Sequence, residues 1–245
     1  MENIREYIIG DVPFLAPLFP ENWNFNFSAF IKIHGHQSYF KGFTFIYNRN
    51  IIGFGNLFLF EKTAWLGNIV IDKNFRGKGF GLSITKHLME YGKKVGIESF
   101  NLIATDLGKP VYEKLGFKEE LIYNFYTSEK ANLNFKIKYN IEQAKPDDFK
   151  AICALDNYVT SEKRTALLQQ LMPKIFIIKY DDNQINGFFI NCLETGSVIA
   201  INENAGIELL KYKLNIGNNK IIIPDKNESI NQLLSNSDFK KHLSL

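Results

Sequence analysis

Cysteine is scarce in this chain of 245 residues, and its two copies, Cys153 and Cys192, lie in different predicted elements. Neither has a CxxC neighbour or a histidine at metal-ligand spacing. The sequence therefore argues against a disulfide framework and a zinc site, and we expect no metal. Both thiols are expected to be small buried hydrophobic groups in a reducing compartment.

Long apolar runs are also missing. No stretch approaches the roughly 20 apolar residues that a membrane span needs, and residues 1–6 lack the basic start and apolar run of a signal peptide. We therefore expect a cytoplasmic protein that binds no membrane. An excess of charge of one sign is lacking too, because the net charge is only +3. This small charge does not favour nucleic acid as a partner.

What the chain has in quantity is aromatic residues, with 22 Phe and 11 Tyr beside only 7 Pro. Its hydrophobic share of 45% and charged share of 22% are typical of a globular protein. Because each aromatic ring supplies much buried area, we predict an interior built largely from rings. The length allows one large domain or two small ones.

The apolar pattern of the first half predicts alternating strands and helices. In order, it predicts a strand over 4–8, a helix capped by Asp11, a helix over 28–33, strands over 43–47, 51–60 and 64–71, a helix over 79–95, a strand over 100–104, a helix over 111–115 and a strand over 117–126. Pro110 and Gly116 bracket the short helix, as expected for its first turn and its end.

The same order of elements recurs after the polar segment 127–133, so we predict two domains, 1–130 and 131–245. The second half is predicted to contain a strand over 135–141, a helix beginning at Pro146, a helix near 161–171, strands over 175–180, 185–191 and 197–201, a helix over 205–214, a strand over 221–223 and a helix over 230–234. Residues 181–183 are predicted to join two of these strands as a hairpin. We interpret the repeated order as an ancient duplication.

One loop carries the chemistry. Residues 72–81, Asp-Lys-Asn-Phe-Arg-Gly-Lys-Gly-Phe-Gly, join a predicted strand to a predicted helix. The three alternate glycines let backbone N–H groups, with the helix dipole behind them, face an anion, and Arg76 and Lys78 add positive charge. The pattern predicts a pyrophosphate site. Its spacing fits neither the dinucleotide fingerprint nor a P-loop, and a glycine-rich turn without a ligand stays open as the alternative.

This loop and its surroundings resemble the acetyl-CoA motif of the GNAT acetyltransferase superfamily, Q/R-x-x-G-x-G/A. Ile69-Val70-Ile71 precede it and an amphipathic helix follows. Further along, Val111-Tyr112-Glu113-Lys114-Leu115-Gly116-Phe117 resembles the superfamily's lYeklGF motif at about the expected separation. The resemblance covers about residues 1–128. It implies an α/β fold with a mixed, splayed central sheet flanked by helices.

The second half resembles the degenerate C-terminal module of some two-module GNAT proteins. The residues that carry this likeness are Ala154-Leu155-Asp156, Arg164, Leu167-Leu168, Ala205 and Leu209-Leu210. The resemblance thus implies two tandem GNAT-like modules with the first one active. Asn202-Glu203-Asn204 stand where the first module has its glycines and cations, so the second module is not expected to bind CoA.

The resemblance also implies roles for individual residues. The backbone of Ile69 and Ile71 would bond the pantetheine, and the amide of Val70 or Ile71 would polarise the thioester carbonyl. Tyr112 corresponds to the tyrosine that protonates the departing thiolate, and Thr105 stands where an asparagine often bonds the cofactor. The residues implied to bind CoA are Ile69, Val70, Ile71, Arg76, Gly77, Lys78, Gly79, Phe80, Gly81, Leu82 and Thr105.

A general base is not identified, because Gly67-Asn68 occupy the strand positions where the family often has a carboxylate. Water or one of four side chains could take that role, and none is favoured: Glu61, Asp106, His34 and His36. We expect His34 and His36 to line or flank the acceptor groove, together with Trp23, Phe25 and Phe30, and not to hold a metal.

The resemblance implies an acetyl-CoA-dependent N-acetyltransferase. A primary amine of an unidentified small-molecule acceptor would attack acetyl-CoA, the acyl-donor co-substrate, directly in a ternary complex. The alternatives are a non-catalytic acyl-CoA-binding sensor, consistent with the missing carboxylate and with Thr105, and a nucleotide-binding module using the same loop. A monomer or a homodimer is expected.

Overall fold

A computed structural model describes residues 2–23, 25–129, 133–180, 184–192, 196–237 and 239–242. The chain divides into two units, Met1–Lys118 and Glu119–Leu245. Each has its own mixture of strands and helices, so the predicted α/β class is confirmed. The hairpin turn predicted at 181–183 lies outside the described residues.

The first unit contains a five-stranded mixed sheet in the order β1-β2-β3-β4-β5. Its strands are β1 Glu2–Glu6, β2 Phe40–Tyr47, β3 Asn50–Phe60, β4 Thr63–Ile71 and β5 Ser99–Asn101. The first four pair antiparallel, whereas β4 and β5 are parallel. The helices of this unit are α1 Val12–Leu15, α2 Phe27–His34, α3 Phe80–Lys94 and α4 Lys109–Glu113.

The two faces of this sheet bury different helices because side chains alternate along each strand. On one face, Phe54 and Phe58 contact the rings of Phe27 and Phe30 on α2. On the other face, Leu57 and its neighbours pack against α3. The aromatic interior expected from composition is therefore observed, and it is concentrated beneath α2.

Asp11 shows how a local sequence signal was overridden by a distant partner. Its side chain makes no capping bond to α1. The buried carboxylate instead accepts both Arg5 guanidinium hydrogen bonds at 2.8 Å, the hydroxyl of Thr44 at 2.9 Å and the amide of Ile8 at 3.0 Å. The residue predicted as a helix cap thus forms a part-buried ion pair with Arg5 of β1 and also bonds Thr44 of β2.

The second unit contains two antiparallel sheets, a four-stranded one in the order β10-β9-β8-β7 and a three-stranded one in the order β11-β6-β12. The strands are β6 Tyr123–Thr127, β7 Ile141–Gln143, β8 Ile175–Lys179, β9 Ile185–Ile190, β10 Val198–Ala200, β11 Lys220–Pro224 and β12 Lys240–Lys241. The helices are α5 Phe149–Thr160, α6 Thr165–Leu171, α7 Glu203–Asn215 and α8 Glu228–Ser235.

Two predicted strands begin well after their predicted starts. The strand predicted over 135–141 begins only at Ile141, because side chains of α7 hold the preceding segment: Asn215 bonds both the amide and the carbonyl of Phe135. The strand predicted over 117–126 begins at Tyr123 and pairs with β11 and β12. This pairing places β6 in the second unit, so the division at 118/119 precedes the predicted boundary at 130/131. The catalytic and degenerate roles assigned to the two domains stay predictions.

Within the described part of the chain, no helix is both long and apolar enough to cross a bilayer. The described residues also contain no cluster of three or more His, Cys, Asp or Glu side chains arranged to hold a metal ion.

Candidate functional site

Strand β4 carries a β-bulge in its second half. Gly53 pairs with Ile71 and Asn56 pairs with Gly67, so two residues of β3 lie between these pairs where β4 has three. The extra residue falls at Asn68, whose backbone is left-handed with φ +53°. A bulge of this kind bends its strand and interrupts the ladder of hydrogen bonds.

Beyond its first residues, β4 also loses its neighbour on the other side. Its parallel pairing with β5 runs only from Thr63 to Trp65, and none of the described strands pairs with the rest of that edge. The amide of Asp72 donates to the carbonyl of Ile52 on β3 at 2.7 Å. Backbone N–H and C=O groups alternate in direction along a strand. The backbone groups of Val70 therefore also face β3, whereas those of Ile69 and Ile71 face the open edge. This is the splayed sheet that the resemblance to the GNAT superfamily implied.

A glycine-rich turn connects the open edge to α3. Gly77 and Gly79 have φ of +75° and +85°, which residues with a side chain rarely adopt. A Cβ atom added at Gly77, Gly79 or Gly81 would have no heavy atom within 4 Å, so the outer side of the turn is open. The glycines thus permit the left-handed backbone and leave the backbone amides of the turn accessible from solvent.

Six successive amides of this turn lack an internal partner. The first helical bond of α3 runs from the amide of Ser83 to the carbonyl of Gly79 at 3.0 Å. Among the described residues, no acceptor takes the amides of residues 77–82, and Gly79 offers no capping side chain. These N–H groups stand at the positive end of a 15-residue helix, an arrangement that binds anions.

Two exposed cations flank these amides. The Nε–H of Arg76 donates to the carbonyl of Ile71 at 3.0 Å, which ties the guanidinium to the end of β4. The Nζ of Lys78 lies 5.3 Å from the ring centroid of Phe75. Each cation therefore has one contact that orients it while it stays exposed to solvent.

Tyr112 lies half-buried on α4, with its ring directly over Gly108. A Cβ atom at position 108 would lie 2.8 Å from the Tyr112 ring. A residue larger than glycine would therefore collide with the tyrosine. Burial raises the pKa of Tyr112 above its ordinary value, and the phenol therefore keeps its proton at neutral pH. We find no hydrogen bond from its hydroxyl to any described residue.

Thr105 lies in the turn that precedes α4 and bonds the backbone that leads into this helix. Its carbonyl accepts the amides of Gly108 and Lys109, both at 2.9 Å, and its hydroxyl lies 3.4 Å from the amide of Gly108. The side chain is exposed. Its predicted contact with CoA stays a prediction.

Among the side chains considered as bases, Glu61, Asp106 and His36 are exposed. Glu61 lies in the turn before β4, six residues from Gly67, which is about 20 Å along an extended strand. His34 lines no open surface, so of the two expected places beside the acceptor groove only the flanking one is left as a prediction. It is 2% exposed within the aromatic cluster of Phe30 and Phe58, and its Nδ1 lies 3.0 Å from the Tyr39 hydroxyl.

The burial of His34 predicts a loss of stability in acid. Burial lowers its pKa from 6.5 to about 4, so between these values the unfolded chain binds a proton that the folded chain does not. Stability should therefore fall as the pH drops from 6.5 to 4, by about 3 kcal/mol from this residue. Urea unfolding of the wild type and His34→Gln at pH 7 and pH 4 measures the difference. Equal losses in both proteins would contradict this prediction.

Sequence reasoning missed Asn56, which is buried beside the bulge on β3. The signal was present, because Asn56 is the one amide side chain inside the apolar run 51–60. A buried polar residue at such a position needs an explanation.

The first unit is similar to known proteins. Residues 11–117 match the model of the acetyltransferase (GNAT) family. This segment contains the bulge, the glycine-rich turn and Tyr112. The chain is 24% identical over 223 residues to the uncharacterized N-acetyltransferase YitH of Bacillus subtilis (strain 168), a match covering 86% of this chain and 78% of that protein.

Two further comparisons extend this result. The uncharacterized N-acetyltransferase CgeE of Bacillus subtilis (strain 168) is 39% identical over 72 residues, which is 28% of each chain. The crystal structure of a candidate acetyltransferase of Pyrococcus horikoshii shares the fold, with a TM-score of 0.80 at 18% identity, covering 99% of this chain and 86% of that one. The resemblance seen in the motifs is confirmed: residues 11–117 of this chain are similar to the acetyltransferase (GNAT) family.

Proposed function

We propose that the first unit transfers an acetyl group from acetyl-CoA to a primary amine of a small-molecule acceptor. The observation that carries this proposal is the row of six amides at residues 77–82, none of which is used by another described residue. A diphosphate has the charge and the oxygen acceptors to satisfy them. In a GNAT domain, that diphosphate is the one of CoA.

The open edge of β4 supports the position of the rest of the donor. The pantetheine takes the place of a neighbouring strand and bonds the backbone of Ile69 and the carbonyl oxygen of Ile71, which has a second lone pair beside the one that accepts from Arg76. Two amides were considered as donors to the thioester carbonyl. The amide of Ile71 is favoured because it faces the open edge, whereas the amide of Val70 faces β3. An N–H fixed at this place stabilises the negative charge that develops on the carbonyl oxygen.

The chemistry is a direct transfer. The lone pair of the neutral amine attacks the thioester carbon, the C–N bond forms, and the C–S bond breaks. The departing thiolate takes the phenolic proton of Tyr112, whose raised pKa keeps that proton available. The proton of the amine passes to solvent water, because the described residues place no carboxylate on β4 near the bulge. Solvent then restores the phenol.

The second unit contrasts with the first. Helix α7 begins at Glu203, and the side chain of Asn202 accepts the amide of Ala205 at 3.0 Å. Its first turn is therefore capped by the protein and carries an acidic residue. Both features oppose a phosphate, so we propose that only the first unit binds CoA.

Thiol release separates this enzyme from a non-catalytic acyl-CoA sensor. Purified full-length protein is incubated with acetyl-CoA and a panel of primary amines, and free CoA thiol is measured. We expect release that depends on one class of amine. Saturable binding of acetyl-CoA without thiol release on any amine would favour the sensor, and competition by ATP or NAD would favour a nucleotide-binding module.

Replacing Tyr112 tests the proposed acid. We expect Tyr112→Phe to lower turnover by about 100-fold or more, in the range for loss of a general acid, while the affinity for acetyl-CoA stays within about two-fold. The hydroxyl is lost but the ring still packs over Gly108. Tyr158→Phe is the matched control, because Tyr158 is 79% exposed in the second unit. Unchanged turnover in Tyr112→Phe would remove this residue from the mechanism.

A further inference from the structure

Asn56 and Asn68 form a hydrogen-bonded pair across β3 and β4. The Nδ2 of Asn68 donates to the Oδ1 of Asn56 at 2.8 Å. Asn56 is 0% exposed, and its own Nδ2 has no hydrogen-bond partner among the residues that the structure describes. A buried N–H left unpaired is costly, so packing alone does not explain an amide here where an apolar side chain would serve.

The pair lies at the bulge itself. Asn68 is the residue with left-handed backbone, a conformation that asparagine tolerates better than most residues. Asn56 faces Gly67, and a Cβ atom at Gly67 would lie 3.5 Å from the Asn56 Nδ2. The absence of a side chain at Gly67 therefore leaves the Asn56 amide directly against the bent part of β4.

The bulge in turn sets the direction of the backbone that follows it. Asn68 is three residues before Ile71, whose amide faces the open edge. A bulge re-aims the groups after it, and a change in its conformation would redirect them. The side-chain bond from Asn68 to Asn56 restrains that conformation from a strand that is itself paired on both sides.

We propose that Asn56 and Asn68 are positioning residues that hold the bulge so that the amide of Ile71 meets the thioester carbonyl. This inference rests on the proposed function, because it assumes that acetyl-CoA occupies the open edge. The pair therefore affects the contact with the acyl group and not the binding of the diphosphate. The six amides that take the diphosphate lie in the separate turn at residues 77–82.

The test compares two ligands of the full-length protein by calorimetry, acetyl-CoA and S-ethyl-CoA, a thioether without the carbonyl oxygen. We expect the wild type to bind acetyl-CoA about five-fold more tightly, as one hydrogen bond predicts. Asn68→Gly keeps the left-handed backbone accessible but removes the side-chain bond. It should lose this preference while its affinity for S-ethyl-CoA stays within about two-fold.

Arg49→Gly is the matched control, since Arg49 is another left-handed residue, at φ +69° in the turn between β2 and β3. It should keep the wild-type preference. If Asn68→Gly does not fold, Asn56→Leu removes the acceptor of the same bond and should also abolish the preference. A wild type that binds both ligands equally, a variant that keeps the preference, or an equal loss for both ligands would each overturn the inference. Failure of the wild type to bind either ligand would instead overturn the proposed function.

Discussion

The substitution Gly79→Glu should abolish acetyl-CoA binding and leave the fold intact. A Cβ atom at Gly79 meets no heavy atom within 4 Å, so the side chain has room. Its carboxylate would stand among the amides of residues 77–82, where we place the diphosphate. Like charges brought together at an interface cost several kcal/mol, and we therefore expect the affinity to fall by more than about 100-fold.

A second substitution at the same turn separates binding from stability. Gly81 lies in the first turn of α3 with ordinary backbone geometry, and a Cβ atom there is also free of contacts. Gly81→Glu should stabilise the helix by about 1 kcal/mol, because glutamate has a higher helix propensity than glycine and suits the positive end of the dipole. It should nevertheless abolish binding.

Gly96→Glu is the matched control for both changes. Gly96 has φ +93°, is exposed, has no heavy atom within 4 Å of its Cβ position, and follows the other end of α3. It therefore shares the backbone strain of Gly79→Glu and the same added charge. Calorimetric titration with acetyl-CoA and thermal unfolding measure the three variants side by side. Unchanged affinity in Gly79→Glu and Gly81→Glu would refute the assigned site.

The largest loss of stability is expected from Asp156→Ala in the second unit. Asp156 is 1% exposed, and it accepts the Nε–H of Arg164 at 3.0 Å and a second bond from Nη2 of the same guanidinium. Removing the carboxylate leaves a largely buried guanidinium whose remaining acidic neighbour, within the described part of the chain, is Glu162 at 3.9 Å from Nη1. Breaking one side of a buried pair costs about 3–5 kcal/mol.

Urea unfolding followed by circular dichroism measures this effect. Glu98→Ala is the control, because Glu98 pairs with Lys62 at the surface of the first unit, and an exposed pair of this kind contributes little. If Asp156→Ala and Glu98→Ala unfold at the same urea concentration, the buried pair does not contribute the expected stability.

The elements nearest to the site were predictable because their signals are local. Apolar spacing predicted a helix over 79–95, and α3 spans Phe80–Lys94. The alternate glycines predicted a turn with accessible amides, and the described amides of residues 77–82 are free of internal partners. Left-handed backbone and helix termini follow from a few adjacent residues, so a single sequence contains the information.

Other features depend on residues far away in the chain. Asp11 has the local pattern of a helix cap, yet Arg5 and Thr44 take its carboxylate. His34 lies two residues before a second histidine, His36, yet the aromatic rings of α2 and β3 enclose it. In each case contacts with residues distant in sequence decided the role of the side chain, and the spacing of neighbouring residues does not predict such contacts.

The α/β class, the glycine-rich turn and the resemblance to the GNAT family were predictable from the chain alone, because they follow from short-range periodicity and from two motifs of adjacent residues. The position of the bulge in β4, the amides that face the open edge and the bond from Asn68 to Asn56 became visible only in the folded chain. It also decided that β6 pairs with β11 and β12. Strand register and pairing are set by cross-strand packing between distant segments, which one strand's own residues do not specify.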